Sequence, residues 1–272
     1  MTSNGKGILI AGLLVAFGTA TWKPVEAADL RRERSGAQVM GNPVAVKNWT
    51  GAYLGGNIGY AFGSSDIADT IGTPGFVGLI PGGIVPGQLR LRREGVIGGV
   101  QAGYNIQTGS FVLGLETDIQ ILDAGKSASF TGNPVLGTPL TTSARSRLEY
   151  LGTLRGRVGY LATENVLLYV TGGLAYGGVD SRASVNGVLA PALSWNGSKS
   201  EVKAGYALGA GAEYRLTANW SIKGEYLYYD LGRQTVRTTP NAAAAAAVPG
   251  VVYDARIKTS GQIIRAGLNY AF

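Results

Sequence analysis

The 272-residue chain has no cysteine, no histidine and no uninterrupted apolar run of about 20 residues. Without cysteine there are no disulfides and no thiol chemistry. Without histidine as well, most zinc sites are excluded. The missing apolar run leaves no helix able to span a bilayer, so membrane residence would have to come from strands. Absence of cysteine alone leaves the compartment open. What replaces these residues is 43 glycines and 14 tyrosines. The glycines follow no three-residue period, and each would cost a helix about 1 kcal/mol relative to alanine, so the composition favours curved sheet over long helices.

The N-terminus supplies the compartment. Lys6 precedes an apolar run from Gly7 to Phe17, and the small residues Val25, Ala27 and Ala28 follow. This is the order of a secretory signal, too short to be a spanning helix. The expected organisation is a signal peptide over 1–27, cleaved after Ala27 or Ala28, a flexible periplasmic lead-in over 28–48, and one domain over 49–272. An N-terminal membrane anchor is the alternative. Removing Lys6, Lys23 and Glu26 lowers the formal net charge from +7 to +6. For a basic exported chain, anionic lipid is a nearer partner than nucleic acid.

From Trp49 onward the sequence alternates with a period of two. Eight strands are predicted, over about 49–62, 96–106, 111–120, 148–160, 168–176, 204–214, 220–229 and 261–272. Their connections alternate long and short, and the stretch 63–94, with Pro74, Pro81 and Pro86, reads as a long loop. Short turns on one side and long loops on the other, with an even strand count, predict an all-β fold: an eight-stranded antiparallel up-and-down transmembrane β-barrel with short periplasmic turns and long extracellular loops. The apolar face carries Tyr104, Phe111, Tyr160, Tyr214, Trp220, Tyr270 and Phe272 at the short-turn end. At the other end it carries Tyr60, Phe62, Tyr150, Tyr176, Tyr206 and Tyr228. Two aromatic rings around a greasy band are the pattern of a lipid-facing wall.

Several motifs, in order, carry a resemblance: Trp49-Thr50-Gly51-Ala52-Tyr53-Leu54-Gly55-Gly56, Gly114-Leu115-Glu116-Thr117-Asp118, Leu154-Arg155-Gly156-Arg157-Val158-Gly159-Tyr160, Glu225-Tyr226-Leu227-Tyr228 and Leu268-Asn269-Tyr270-Ala271-Phe272. Over Trp49 to Phe272 the chain resembles the small outer-membrane immunogenic, porin-family or OmpA-like barrels of proteobacteria. The resemblance implies an outer-membrane location, no cofactor, and a last strand whose Leu268, Tyr270 and Phe272 are read by the barrel-assembly machinery. It also disfavours catalysis, because barrel proteases and acyl-removing barrels use a histidine.

The predicted inward faces collect Glu116, Asp118, Glu149, Glu213 and Glu225 with Arg147, Arg155, Arg157, Arg215, Lys223 and Arg265. Eight strands enclose an interior just wide enough for side chains to fill, so these charges are expected to pair. A register-specifying ion-pair network is the favoured reading, and a narrow porin-like diffusion channel for small solutes the alternative. In the long loops, Arg90, Arg92 and Arg93 are candidates to clamp lipopolysaccharide phosphates. The other loops are expected to meet host or environmental surface ligands, and no nucleic-acid partner is expected.

Overall fold

Three tight turns set the antiparallel order, and everything else follows from ring closure. A computed structural model describes residues 48–135, 138–187 and 193–272. The expected signal peptide, and the expected lead-in apart from Asn48, lie outside these residues. The strands are β1 (Gly51–Gly72), β2 (Gln88–Thr108), β3 (Phe111–Val135), β4 (Thr138–Thr163), β5 (Val166–Gly187), β6 (Ser194–Arg215), β7 (Trp220–Arg237), the two-residue β8 (Thr239–Pro240) and β9 (Tyr253–Ala271). Two short helices, α1 (Pro74–Val77) and α2 (Ala242–Ala247), sit in the long connections.

Sequential strands pair antiparallel from β1 to β7, and β9 lies between β7 and β1, so eight strands close a ring. Closure runs from Tyr53 opposite Ala271 to Phe62 opposite Gln262. The amide of Phe272 donates to the carbonyl of Ala52 at 3.1 Å, so the last residue is tied into the seam. With no edge left open in lipid, the backbone groups of the wall are satisfied internally.

Around the lower wall, Leu54, Ile58, Val100, Leu115, Leu154, Val170 and Ile264 are exposed on the outer face, as lipid contact requires. The aromatic residues at the short-turn end touch one another, with ring centroids 5.6 Å apart for Phe111 and Tyr160 and 5.1 Å apart for Trp220 and Tyr270.

The wall continues well beyond the expected strand ends. Much of 63–94, including Arg90, Arg92 and Arg93, is strand and not loop, and the same holds for most of the other three long connections. The reason lies in the side-chain pattern. Above the outer tyrosines the apolar face switches from outside to inside: Leu89, Leu91, Leu140, Ala183, Val185 and Ile257 are buried, while Arg90, Arg145, Arg182 and Arg256 are exposed. Such a wall obeys the rules of a soluble barrel, and a search for an outward apolar face passes over it.

In β2, β5 and β9 the same alternate positions face inward along the whole strand and only their chemistry changes, from polar to apolar, whereas in β1, β4 and β7 inserted residues change which positions face inward. Register shifts occur at Ala61/Ser64 in β1, Leu148/Tyr150 in β4 and Asp230/Arg233 in β7, each within three residues of an outer tyrosine, Tyr60, Tyr150 or Tyr228. Each β-bulge turns the following residues to the opposite face. The shift in β4 corrects two sequence assignments: Arg147 and Glu149, expected inside, are exposed on the outer surface. The bulge in β7 also opens a gap. The β6–β7 ladder ends at Tyr206/Asp230, Gly232 adopts a φ of 74°, and pairing with β6 resumes at Asn196/Thr239 on β8.

Candidate functional site

The interior is stacked in layers. At the short-turn end, Trp49, Val112, Leu167 and Tyr169 form a small apolar floor. The Arg215 guanidinium lies 4.1 Å from the centre of the Trp49 ring and donates to the Asn48 carbonyl at 3.2 Å. With Arg147 and Glu149 outside, nine of the eleven charged residues expected in the lumen remain there, and Arg215 is the one held apart, at the floor. Between Tyr53, Asn105, Glu213 and Arg215 there is a space of about 20 Å³, roughly the size of one water.

Above the floor, the strand registers bring the other eight together. Glu116 is opposite Arg155, Glu225 opposite Arg265, and Glu213 opposite Lys223. Arg155 donates through Nη2 to Glu116 Oε1 (2.6 Å) and Asp118 Oδ2 (2.8 Å), and through Nη1 to Glu225 Oε1 (2.8 Å). Arg265 donates to Glu225 Oε2 through Nε at 2.6 Å and to Asp118 Oδ2 through Nη2 at 3.0 Å. Its Nη2 also closes an ion pair with Glu225. Lys223 Nζ bridges both oxygens of Glu116 at 2.8 and 2.7 Å. Arg157 donates to Glu213 Oε2 at 2.7 Å and packs 4.2 Å from the centre of the Tyr169 ring.

Neutral groups complete the layer and were invisible to a charge-based reading. The Tyr53 hydroxyl donates to Glu116 Oε2 at 2.7 Å, and the Thr153 hydroxyl donates to Asp118 at 2.9 Å. Ser221 and Asn269 donate to Glu213, while Gln101 and Asn57 extend the chain of bonds to β1. Tyr53 fits because Gly103 faces it from β2, where a Cβ would strike the tyrosine ring. Only the two-residue period marked these side chains as inward-facing. Four acids, Glu116, Asp118, Glu213 and Glu225, meet four cations, Arg155, Arg157, Lys223 and Arg265, and all eight are buried. Isolated charges at this depth would be very costly, and balanced, hydrogen-bonded ones are the tolerable form.

A third layer fills the lumen above the charges: Ala61, Ile97, Leu122, Leu148, Leu151, Ala175, Leu227, Tyr229 and Ile263 are buried in one apolar cluster. A larger cluster follows beyond the tyrosine ring, where Phe76 of α1 inserts between Trp195 and Tyr253, its ring 5.1 Å from that of Tyr253. Among the described residues, no group of three or more acids, histidines or cysteines forms a metal-binding set.

Four other sequence-assigned positions are on the outer surface. Leu268 and Tyr270 on β9, and Phe272 just past its end, are exposed at the short-turn end, with the Tyr270 and Phe272 rings 5.3 Å apart. Arg90 is exposed on β2, and the backbones of Arg92 and Arg93 lie opposite Ser65 and Ser64 of β1. The Arg90 side chain does not enter the lumen.

Residues 36–272 match the outer membrane protein beta-barrel domain. The chain is 36% identical to the 31 kDa outer-membrane immunogenic protein of Brucella melitensis, across 98% of this chain and 100% of that protein. It is 25% identical to the 25 kDa outer-membrane immunogenic protein of Brucella abortus, across 97% of both. Among solved structures it is similar to the outer membrane protease OmpT of Escherichia coli, at 13% identity and a TM-score of 0.45, covering 81% of this chain and 97% of that one. The chain belongs to the outer membrane protein beta-barrel domain family and resides in the outer membrane of a Gram-negative bacterium.

Proposed function

We propose that this barrel is a closed, non-catalytic element of the outer-membrane wall whose upper half presents a surface to the exterior. The observation that carries the reading is the stacking of a balanced ionic layer beneath an apolar one across the whole lumen. Ions entering from either side would have to displace buried arginines or cross a dry layer of leucines, and neither favours conduction. The lack of histidine removes the usual general base for barrel hydrolases. Relatives named as immunogenic proteins support exposure of the upper wall to the outside.

Within this reading, the 1–27 segment directs export, Leu268, Tyr270 and Phe272 engage the assembly machinery, and Arg90, Arg92 and Arg93 contact lipopolysaccharide at the rim. Planar-bilayer recording tests the central claim: the purified protein is expected to give no steady single-channel current. Reproducible steps of conductance would replace the reading with a narrow diffusion channel. Replacing all three rim arginines with serine is expected to reduce lipopolysaccharide co-purification, and unchanged recovery would remove that contact.

A further inference from the structure

A second cationic surface lies on the outer wall, on the far side of β3 from Arg90. Arg145 of β4 and Arg182 of β5 stand directly opposite each other in the register, both exposed. Like charges facing each other across a ladder destabilise a sheet. Arg182 has one partial offset, Asp180 at 3.5 Å, while no carboxylate among the described residues lies within ion-pairing distance of Arg145. Arg237 joins the pair from β7, and Ser143, Ser184 and Asn196 add polar groups to the same cleft of about 720 Å³.

Where β7 turns away from β6, a second depression of about 840 Å³ opens, and the two share Ser198 and Arg237. Arg233 stands in the second depression. The combined surface spreads four guanidinium groups over strands β4 to β7. Neighbouring strands lie about 4.8 Å apart, so the charges span more than one phosphate can bridge. Guanidinium forks match phosphate and carboxylate geometry.

Height identifies the occupant. Arg182 is six residues beyond the outer tyrosine Tyr176 on the same strand. At about 3.3 Å per residue and a tilt of roughly 40°, it stands about 15 Å above the tyrosine ring. It also faces sideways, toward neighbouring lipid, and not upward from the loop tips. We infer that the Arg145–Arg182–Arg237 cleft binds the phosphorylated core sugars of the surrounding outer-leaflet glycolipid. This deepens the surface-contact reading by giving the wall a second, built binding surface, separate from Arg90, Arg92 and Arg93.

The test uses the full-length protein purified from outer membranes into nanodiscs, with R145S/R182S/R237S compared to the parent and to R90S/R92S/R93S. Heat-modifiable gel mobility first establishes that each barrel is folded. Binding of intact lipopolysaccharide, of dephosphorylated lipopolysaccharide and of the lipid-free phosphorylated core oligosaccharide is then measured. The parent is expected to prefer the phosphorylated forms, and the triple variant of the cleft to lose roughly tenfold or more in affinity for both. Triple lysine replacement is expected to retain part of the binding. Equal binding by parent and cleft variant overturns the inference, and so does equal affinity for the phosphorylated and dephosphorylated lipid. Binding of only soluble polyanions would overturn the glycolipid assignment. If R90S/R92S/R93S alone loses lipopolysaccharide, the rim contact survives while the cleft fails, and the two readings separate.

Discussion

Lys223 and Glu116 stand on opposite walls of the barrel and touch at 2.7 Å. The strand neighbour of Lys223 is Glu213, yet its ammonium passes over that acid to β3, four strands away around a ring of eight. Glu213 is released to Arg157, Ser221 and Asn269. The ionic layer is thus a connection across the lumen as well as a set of ladder pairs.

Replacing Lys223 with Met leaves four acids against three cations. Breaking one partner of a buried pair costs about 3–5 kcal/mol, so the urea midpoint of the folded gel band is expected to drop clearly. Glu116→Gln alone should do the same through a surplus cation. The double replacement restores three against three, and its loss is expected to be smaller than the sum of the two. Strict additivity would show that the pair is not coupled.

Deleting Phe272 removes one exposed ring and one amide bond to Ala52. Insertion, followed as the rate of appearance of the folded band in cells, is expected to slow more than the urea midpoint falls. Equal effects on both would assign the residue to stability alone.

On the closed-lumen proposal the ionic and apolar layers block in series. Leu151→Gly with Leu227→Gly thins the apolar seal, and Arg155→Ala with Glu225→Ala thins the ionic one. Either pair alone is expected to leave the bilayer current at baseline, whereas all four together should give measurable steps. Conductance from a single pair would mean that the other layer does not block.

Beyond the membrane, burial pushes the Tyr253 phenol up to about 12, with Asp254 adding to the effect. A raised folded value favours the neutral form. Its contribution is therefore complete below the unfolded value near 10 and is lost as pH rises from about 10 to about 12. Hydrogen exchange of the upper wall is expected to quicken across that window. Tyr253→Phe should weaken the dependence while leaving neutral-pH behaviour nearly unchanged, and an unaltered alkaline profile would exclude this phenol as its source.

The membrane-facing half was legible in the sequence because lipid imposes one rule on every strand. Tyr160, Val170 and Leu268 face out while Arg157, Thr171 and Asn269 face in, and a period of two finds them all. The upper half was not, because Leu89 and Ile257 are buried there while Arg90 and Arg256 are exposed. The lumen charges could be placed on a face, but not matched to partners, since Lys223 prefers an acid four strands away. Arg147 and Glu149 were misassigned for a smaller reason, one inserted residue in β4.

On three of the eight ring strands, the inserted residues at Ala61/Ser64, Leu148/Tyr150 and Asp230/Arg233 mark a collar close to the outer tyrosines of those strands. A strand with such slack can gain or lose a residue above the collar without dragging the segment below it out of phase. The exterior portion is thereby free to drift in length and charge under pressure from outside the cell, while the portion in lipid keeps the one phase its ion pairs demand.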